Sequence, residues 1–289
     1  MRDFIISTES NADLTEDFIS SNDICVIPHY YTIEEQVYGE EQVLTDREFY
    51  DAMRMGKSVA TMASNPAVIQ DKFTRYAKEG KDVLHISFSS ELSGGCGNVI
   101  MAANEVMEEY PDMQIVVVDT LSASLGEMLM IVKALELKKA GKSIDETKEL
   151  LERLIPHICV QFTVDDLNHL YRGGRLSKTS ALIGTMMDVK PILHINMDGK
   201  LVALSKTRGR KKSMNTMINN MIERLGEWKD KQLFIGILHG DCEQDAGYLE
   251  QLIREKLGDV KIVTQTVGPS IGAHSGPGTL GLVFMGDYR

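Results

Sequence analysis

The fold of this chain is decided by Val83-Leu-His-Ile-Ser-Phe88 and by the residues that follow it, Ser89-Ser-Glu-Leu-Ser93-Gly94-Gly95. A short, almost continuous apolar run is typical of a strand buried inside a parallel sheet. Serines and glycines directly after such a run predict a helix start at the carboxyl edge of the sheet, where α/β proteins bind their ligands. The stretch therefore predicts an α/β fold with a candidate ligand site at this edge.

The segments around this stretch alternate in the same way. The predicted strands are Phe4–Ser7, Ile24–Thr32, Val83–Phe88 and Gln114–Asp119, and the predicted helices are Thr45–Arg54, Ala67–Glu79, Gly97–Tyr110, Gly126–Ala140 and Ser143–Leu154. Strands that alternate with helices imply right-handed crossovers. We therefore expect a mainly parallel sheet with helices on both faces.

The pattern changes near Pro156, where we place a boundary between a domain of residues 1–156 and one of residues 157–289. Met197-Asp-Gly199 stands between two apolar runs and predicts a β-hairpin. The second domain is predicted to be α+β with a mixed or antiparallel sheet. Its strands are Ile158–Val164, Lys190–Asn196, Lys200–Ser205, Gln232–His239, Lys261–Thr266 and a final apolar segment, and its helices are Asp165–Tyr171, Ser177–Met187, Arg210–Leu225 and Gln244–Leu257.

Composition excludes several classes of protein. The 289 residues carry a formal net charge of -11, which argues against a nucleic-acid-binding protein with a basic face. We find no signal peptide and no apolar run of about 18 residues, so stable membrane insertion is not expected. The four cysteines are far apart and form no C-x-x-C pair, which is typical of reduced thiols in a cytoplasmic protein.

The first candidate site lies at Ser93 and Gly94. Free N–H groups at a helix start attract an anion, a serine adds a hydroxyl donor, and glycine lets the backbone approach closely. An ordinary capped helix start would also explain the serine. Thr61, before the helix that Pro66 begins, could face the same anion from a neighbouring loop.

The second candidate site is Gly268-Pro-Ser-Ile-Gly-Ala-His274-Ser-Gly-Pro-Gly-Thr279, a loop that carries one histidine among glycines and prolines. Histidine on such a loop can donate hydrogen bonds to an anion. A tight turn before the closing strand, with His274 incidental, is the alternative.

Two arginine-containing segments complete the candidates. Arg172-Gly-Gly-Arg175 predicts a bend that points guanidinium groups inward toward a carboxylate or phosphate, although a solvent-exposed helix end would look the same. The basic run Lys206–Lys212 is open between a solvated helix start, an anion-binding lobe and a docking patch for an acidic partner.

Other chemistries find little support. The histidines show no metal-ligand spacing, so no metal is expected. Ser93 could act as a nucleophile with His274 as its base on an acyl or hydroxyketone substrate, but Leu92-Ser93-Gly94 is not the G-x-S-x-G elbow of the common hydrolases.

Taken together, the motifs resemble those of the DegV family of bacterial fatty-acid-binding proteins, in the expected order and over nearly the whole chain. The matching segments are Thr8-Glu-Ser-Asn-Ala-Asp-Leu14, Ser89-Ser-Glu-Leu-Ser-Gly94, Arg172-Gly-Gly-Arg-Leu-Ser177, Lys190-Pro-Ile-Leu193 and Gly268–Gly278. Departures from the family pattern are Glu9 for aspartate, Thr61-Met-Ala-Ser64 for T-S-Q-P, and Gly95 for threonine.

The resemblance implies a two-domain protein that holds one long-chain fatty acid, such as palmitate, oleate or stearate, between its halves, with no other cofactor and no catalytic residue. It implies carboxylate binding by Thr61, Ser93, Gly94, Arg172 and His274, with Arg208 and Ser275 in supporting positions. Some members present the acid to a separate ATP-dependent fatty-acid kinase for phospholipid synthesis. Among apolar helix residues, Leu129, Ile131, Ile183 and Met186 could line the tunnel.

Overall fold

The computed structural model describes residues 2–40, 42–176 and 189–289. The predicted helix Ser177–Met187, with Ile183 and Met186, lies outside these residues. In the first part of the chain the strands are β1 Phe4–Glu9, β2 Cys25–Ile27, β3 Tyr30–Ile33, β4 Gln36–Tyr38, β5 Val59–Met62, β6 Asp82–Ser87 and β7 Ile115–Asp119. The helices there are α1 Glu16–Ser21, α2 Asp46–Arg54, α3 Pro66–Lys78, α4 Gly95–Glu109, α5 Leu125–Lys139 and α6 Ile144–Leu154.

The second part begins with strand β8 after a short 3₁₀ turn. Its strands are β8 Ile158–Thr163, β9 Val189–Ile195, β10 Leu201–Arg208, β11 Ile235–His239, β12 Ile262–Thr266 and β13 Leu280–Met285. Its helices are α7 Asn168–Arg172, α8 Arg210–Leu225, α9 Glu243–Leu257 and α10 Pro269–Ser275. The start of β8 at Ile158 suits the division near residue 156, which we retain as a proposal.

Two large sheets organise the chain. The first is parallel throughout, in the order β2-β1-β6-β7. The second has the order β10-β9-β8-β13-β11-β12 and is mixed, since β11 and β12 run parallel and the other neighbours antiparallel. The predicted fold class, with a parallel sheet in the first part and a mixed sheet in the second, is confirmed, as is the hairpin that joins β9 to β10.

One predicted strand was wrong. Ile24–Thr32 is divided at Pro28 and His29 into β2, which joins the parallel sheet, and β3, which joins a small antiparallel sheet of order β4-β3-β5. Proline has no N–H to donate to a sheet, so the chain leaves the first sheet there. The sequence analysis missed β4 and β5 because both are short and only partly buried.

The glycine-rich segment is also more ordered than the predicted loop. Its residues 269–275 form the short helix α10, with Pro269 in the first turn, a position where the missing N–H costs nothing. Within the described residues the other predicted helices form close to their predicted positions, and α2 begins with a complete capping box between Thr45 and Glu48.

Helix α5 joins the two large sheets. It has buried residues on several sides, and a helix that is apolar nearly all round belongs inside a protein. It packs against β1 and β6 of the parallel sheet and against β8, β11 and β13 of the mixed sheet. One continuous core therefore contains Leu125 and Leu129 of α5 together with Ile86 and Val118 on one side and Val160 and Val283 on the other.

Truncating Leu129 tests this shared core. The side chain is 1% exposed, so Leu129→Ala should lower the free energy of unfolding by about 2–5 kcal/mol in urea titrations, through lost burial and the cavity left behind. Ile100→Ala on α4, where the side chain is 46% exposed, is the control and should cost less than about 1 kcal/mol. Equal losses in the two variants would contradict the role of α5.

Candidate ligand-binding site

A cavity lies where the carboxyl edge of the parallel sheet meets the mixed sheet. Its empty volume is about 1030 Å³, and this figure includes space that is open to solvent. Most of the wall is hydrophobic and comes from both parts of the chain: Phe88, Leu92, Val160, Phe162, Leu170, Ile195, Leu201, Leu238, Val267 and Ile271. The wall therefore suits an apolar ligand.

The wall also contains polar groups, and two of them are in direct contact. Thr61 Oγ1 lies 2.7 Å from His274 Nε2, although the two residues are 213 positions apart in sequence. Ser93 and Gly94 line the same cavity. Thr61 reaches it from strand β5, not from the loop that the sequence suggested, and His274 from the last turn of α10.

Ser93 is held by the turn between β6 and α4. Its backbone N–H donates to Ser89 O at 3.2 Å, and its Oγ accepts from Gly95 N at 3.1 Å. Because the hydroxyl oxygen is the acceptor in that bond, its own proton can be donated to a ligand in the cavity.

His274 is held by the first glycine of the Arg172–Arg175 motif. A Cβ atom on Gly173 would stand only 2.2 Å from His274 Nδ1, so any other residue there would displace the ring. Burial, with a smaller contribution from the positive charge of Arg175, lowers the pKa of His274 to about 4. The ring is therefore neutral at pH 7 and carries one N–H donor.

The two arginines of that motif occupy different environments. Arg175 lines the cavity, and its Nε donates to Leu92 O at 3.0 Å. Arg172 is exposed, and it lines a polar cleft on the other side of the Thr61–His274 pair, with its Nη2 3.2 Å from His169 Nδ1. This outer cleft is lined by Lys57, Ser58, Thr61, His169, Arg172, Arg175 and His274, among others.

The two residues predicted to support the site, Ser275 and Arg208, lie in different places. Ser275 is buried in the cavity wall, and its Oγ has no hydrogen-bond partner among the described residues. Arg208 is exposed at the end of β10 and is not one of the described residues that line the cavity. The cavity wall contains further polar residues. Among them, Asn11 and His29 were missed, since the sequence marks them only as turn and strand residues.

The described residues bear on three other possibilities: a Ser93–His274 catalytic pair, a metal site and a membrane-spanning helix. Within that part of the chain no hydrogen bond joins Ser93 to His274, whose Nε2 faces Thr61 instead. No group of three or more His, Cys, Asp or Glu side chains there could hold a metal ion. The helices described are all too short or too polar to cross a bilayer.

The fold and this cavity define a class of protein, an α/β protein whose two large sheets share a largely apolar cavity. The family model described as "Uncharacterised protein, DegV family COG1307" matches residues 3–287. A DegV domain-containing protein of Clostridium perfringens is 38% identical over 100% of this chain and 99% of its own. The chain thus belongs to the DegV family, as its motifs predict.

Solved structures support the same assignment. A DegV family protein from Thermus thermophilus, described by its fatty acid binding, is similar with a TM-score of 0.88 and 28% identity, covering 99% of this chain and 100% of that one. DegV from Bacillus subtilis, described as a fatty acid binding protein, has a TM-score of 0.86 and 27% identity with the same coverage.

One acidic residue joins the segments that surround the cavity. Asp13 Oδ1 accepts from Gly268 N at 3.0 Å, its Oδ2 accepts from Ser124 Oγ, and its backbone O accepts from Gln265 Nε2 at 3.3 Å. Ser124 lines the cavity, and Gly268 directly precedes α10. Burial of the carboxyl group, only partly offset by these hydrogen bonds, raises the pKa of Asp13 to about 7.

Asp13 should make stability depend on pH. The folded chain holds the proton more tightly than the unfolded chain, so the free energy of unfolding should fall by up to about 4 kcal/mol as the pH rises from about 4 to about 7. Asp13→Asn keeps a carbonyl acceptor for Gly268 N and cannot ionise, so it should remove most of this slope in urea titrations. Asp17→Asn, at an exposed position on α1, should retain the slope, and an unchanged slope in Asp13→Asn would refute the assignment.

Proposed function

We propose that this protein binds one long-chain fatty acid, such as palmitate, oleate or stearate, in the cavity between its two sheets. The observation that carries the proposal is the close Thr61–His274 pair in the wall of a mostly apolar cavity. Fatty acids are amphiphiles with one anionic end, which is the ligand such a site suits. The fatty-acid binding described for the relatives from Thermus thermophilus and Bacillus subtilis supports the same ligand class.

In this proposal the carboxylate is held by the side chains of Thr61, Ser93 and His274, with the backbone at Gly94. Arg175, which lines the cavity, supplies a positive charge nearby. Arg172 and Arg208 are exposed and stand outside the cavity, so they do not contact the carboxylate in this proposal. Ser275 is buried next to His274 in the sequence and has a supporting position.

The apolar walls supply most of the binding energy. Each buried methylene contributes about 0.8 kcal/mol, so a tail of about fourteen methylenes gains roughly 11 kcal/mol before the cost of association. The polar groups then orient the acid and select a carboxylate over other ends. Leu129 and Ile131 of α5 belong to the shared core rather than to the described cavity wall, so they act indirectly.

We further propose that the protein is a non-catalytic carrier that presents the acid to a separate ATP-dependent kinase in the cytoplasm. In that reaction a carboxylate oxygen attacks the γ-phosphorus of ATP, the bond to the β-phosphate oxygen breaks, and ADP and an acyl phosphate form. The outer cleft would give the partner access to the carboxylate, and its cations Lys57 and Arg172 suit the approach of phosphates.

Binding can be tested on delipidated protein. Oleate should bind, and mass spectrometry of protein purified from bacteria should detect co-purified long-chain acid. Ser93→Ala removes one hydrogen bond to a charged group, worth about 1.5–3 kcal/mol, and should weaken oleate binding about 10- to 100-fold in calorimetry. Ser90→Ala, at an exposed serine of the same turn, should bind like the wild type. Absence of lipid together with absence of oleate binding would rule the proposal out.

The carrier role has its own test. With a bacterial fatty-acid kinase, ATP and oleate, the protein should support acyl phosphate formation, and Arg172→Glu should reduce the rate at least about tenfold while oleate affinity stays within about twofold. Lys229→Glu, an exposed charge reversal after α8, is the control. Equal acyl phosphate formation by wild type and Arg172→Glu would contradict the role given to the outer cleft.

A further inference from the structure

His29 is a buried histidine of the cavity wall, and its ring has a nitrogen without a hydrogen-bond partner among the described residues. The side chain is 7% exposed and lines the cavity, but its Nε2 has no hydrogen-bond partner in residues 2–40, 42–176 and 189–289. Its backbone N–H donates to Ser10 Oγ at 2.9 Å, which fixes the residue at the point where the chain leaves the parallel sheet. A buried polar atom without a hydrogen bond lowers the stability of the protein. Nε2 is therefore suited to form a hydrogen bond with a bound ligand.

Gly95 shows where this nitrogen lies relative to Ser93. A Cβ atom on Gly95 would be 3.4 Å from His29 Nε2, 3.4 Å from Glu9 Oε1 and 3.5 Å from Ser93 Oγ. The three polar atoms thus surround one small space that the glycine leaves empty. His29 is therefore a near neighbour of the serine proposed to hold the carboxylate.

Glu9 is the acidic residue next to His29 and Ser93. Its carboxylate lies 3.4 Å from His85 Nε2 and accepts from Ser87 Oγ at 3.1 Å and from Phe88 N at 3.0 Å. Burial works to raise the pKa of Glu9, but the interactions with His85 and the others outweigh it and keep the pKa below its ordinary value. A buried anion consequently stands close to Ser93, where it would repel a second carboxylate unless a donor is present.

We propose that His29 is a further ligand-binding residue, whose Nε2 donates a hydrogen bond to the carboxylate end of the bound fatty acid. The inference rests on the proposed function and deepens it. It makes His29 a determinant of head-group selectivity, because its contact with an anion is stronger than with a neutral end and offsets the repulsion from Glu9. The cavity then has two histidine contacts to the head group, His274 from α10 and His29 from the turn between β2 and β3.

The test compares oleate with oleyl alcohol, a neutral ligand with the same tail, on delipidated full-length protein. His29→Leu should weaken oleate binding at least about tenfold and change oleyl alcohol binding by less than about threefold, since only the acid loses a charge-assisted bond. His29→Gln keeps a side-chain N–H donor and should recover most of the preference for the acid.

A matched control separates head-group contact from general damage. His239 is also buried, at 6% exposure, with an unpartnered Nδ1 in the described residues, and it does not belong to the described cavity wall. His239→Leu should leave the preference for the acid unchanged. The inference is overturned if His29→Leu weakens the binding of oleate and of oleyl alcohol equally. It is also overturned if the variant prefers oleate as strongly as the wild type does.

A second measurement covers the case in which His29→Leu does not fold. In the wild type labelled with ¹⁵N-histidine, oleate should move the Nε2 resonance of His29, assigned with His29→Gln, while oleyl alcohol should move it less. No movement with bound oleate overturns the role of His29 alone. No binding of oleate by the wild type overturns the proposed function itself, so the two failures are distinguishable.

Discussion

The burial of helix α5 is the constraint on which the rest of the structure depends. Its apolar residues occur on several sides, so no single sheet could cover them, and two sheets pack around it. The cavity lies where these sheets meet beside the start of α5, and Ser124, immediately before the helix, is part of its wall. The same hydrophobic burial thus sets both the assembly of the chain and the place of the cavity.

The site itself combines two environments that are difficult to maintain together. Its apolar wall makes the surroundings less polar than water, which strengthens each polar contact but raises the free-energy cost of each unpaired polar atom. Asn11, His29 and Ser275 line the cavity, and each has a buried side-chain atom without a hydrogen-bond partner among the described residues. Such atoms cost stability in the free protein, and a bound carboxylate or ordered water would recover that cost.

Much of the framework could be read from sequence because it depends on local patterns. The apolar run of β6 and the serines after it predicted the parallel sheet and the place of Ser93, and Arg210 to Leu225 was predicted as the helix that forms. Strands β4 and β5 could not be read, because short strands depend on the neighbours with which they pair. For the same reason Thr61 was assigned to a loop.

By itself the sequence determined the fold class and the family, and it predicted Ser93, Thr61 and His274 as candidate anion-binding residues. Only the tertiary structure decided that Thr61 and His274 touch, that Arg175 rather than Arg172 lines the cavity, and that His29 lies beside Ser93. The physical reason is that periodicity and capping are properties of neighbouring residues, whereas a contact across more than two hundred positions depends on how whole sheets pack.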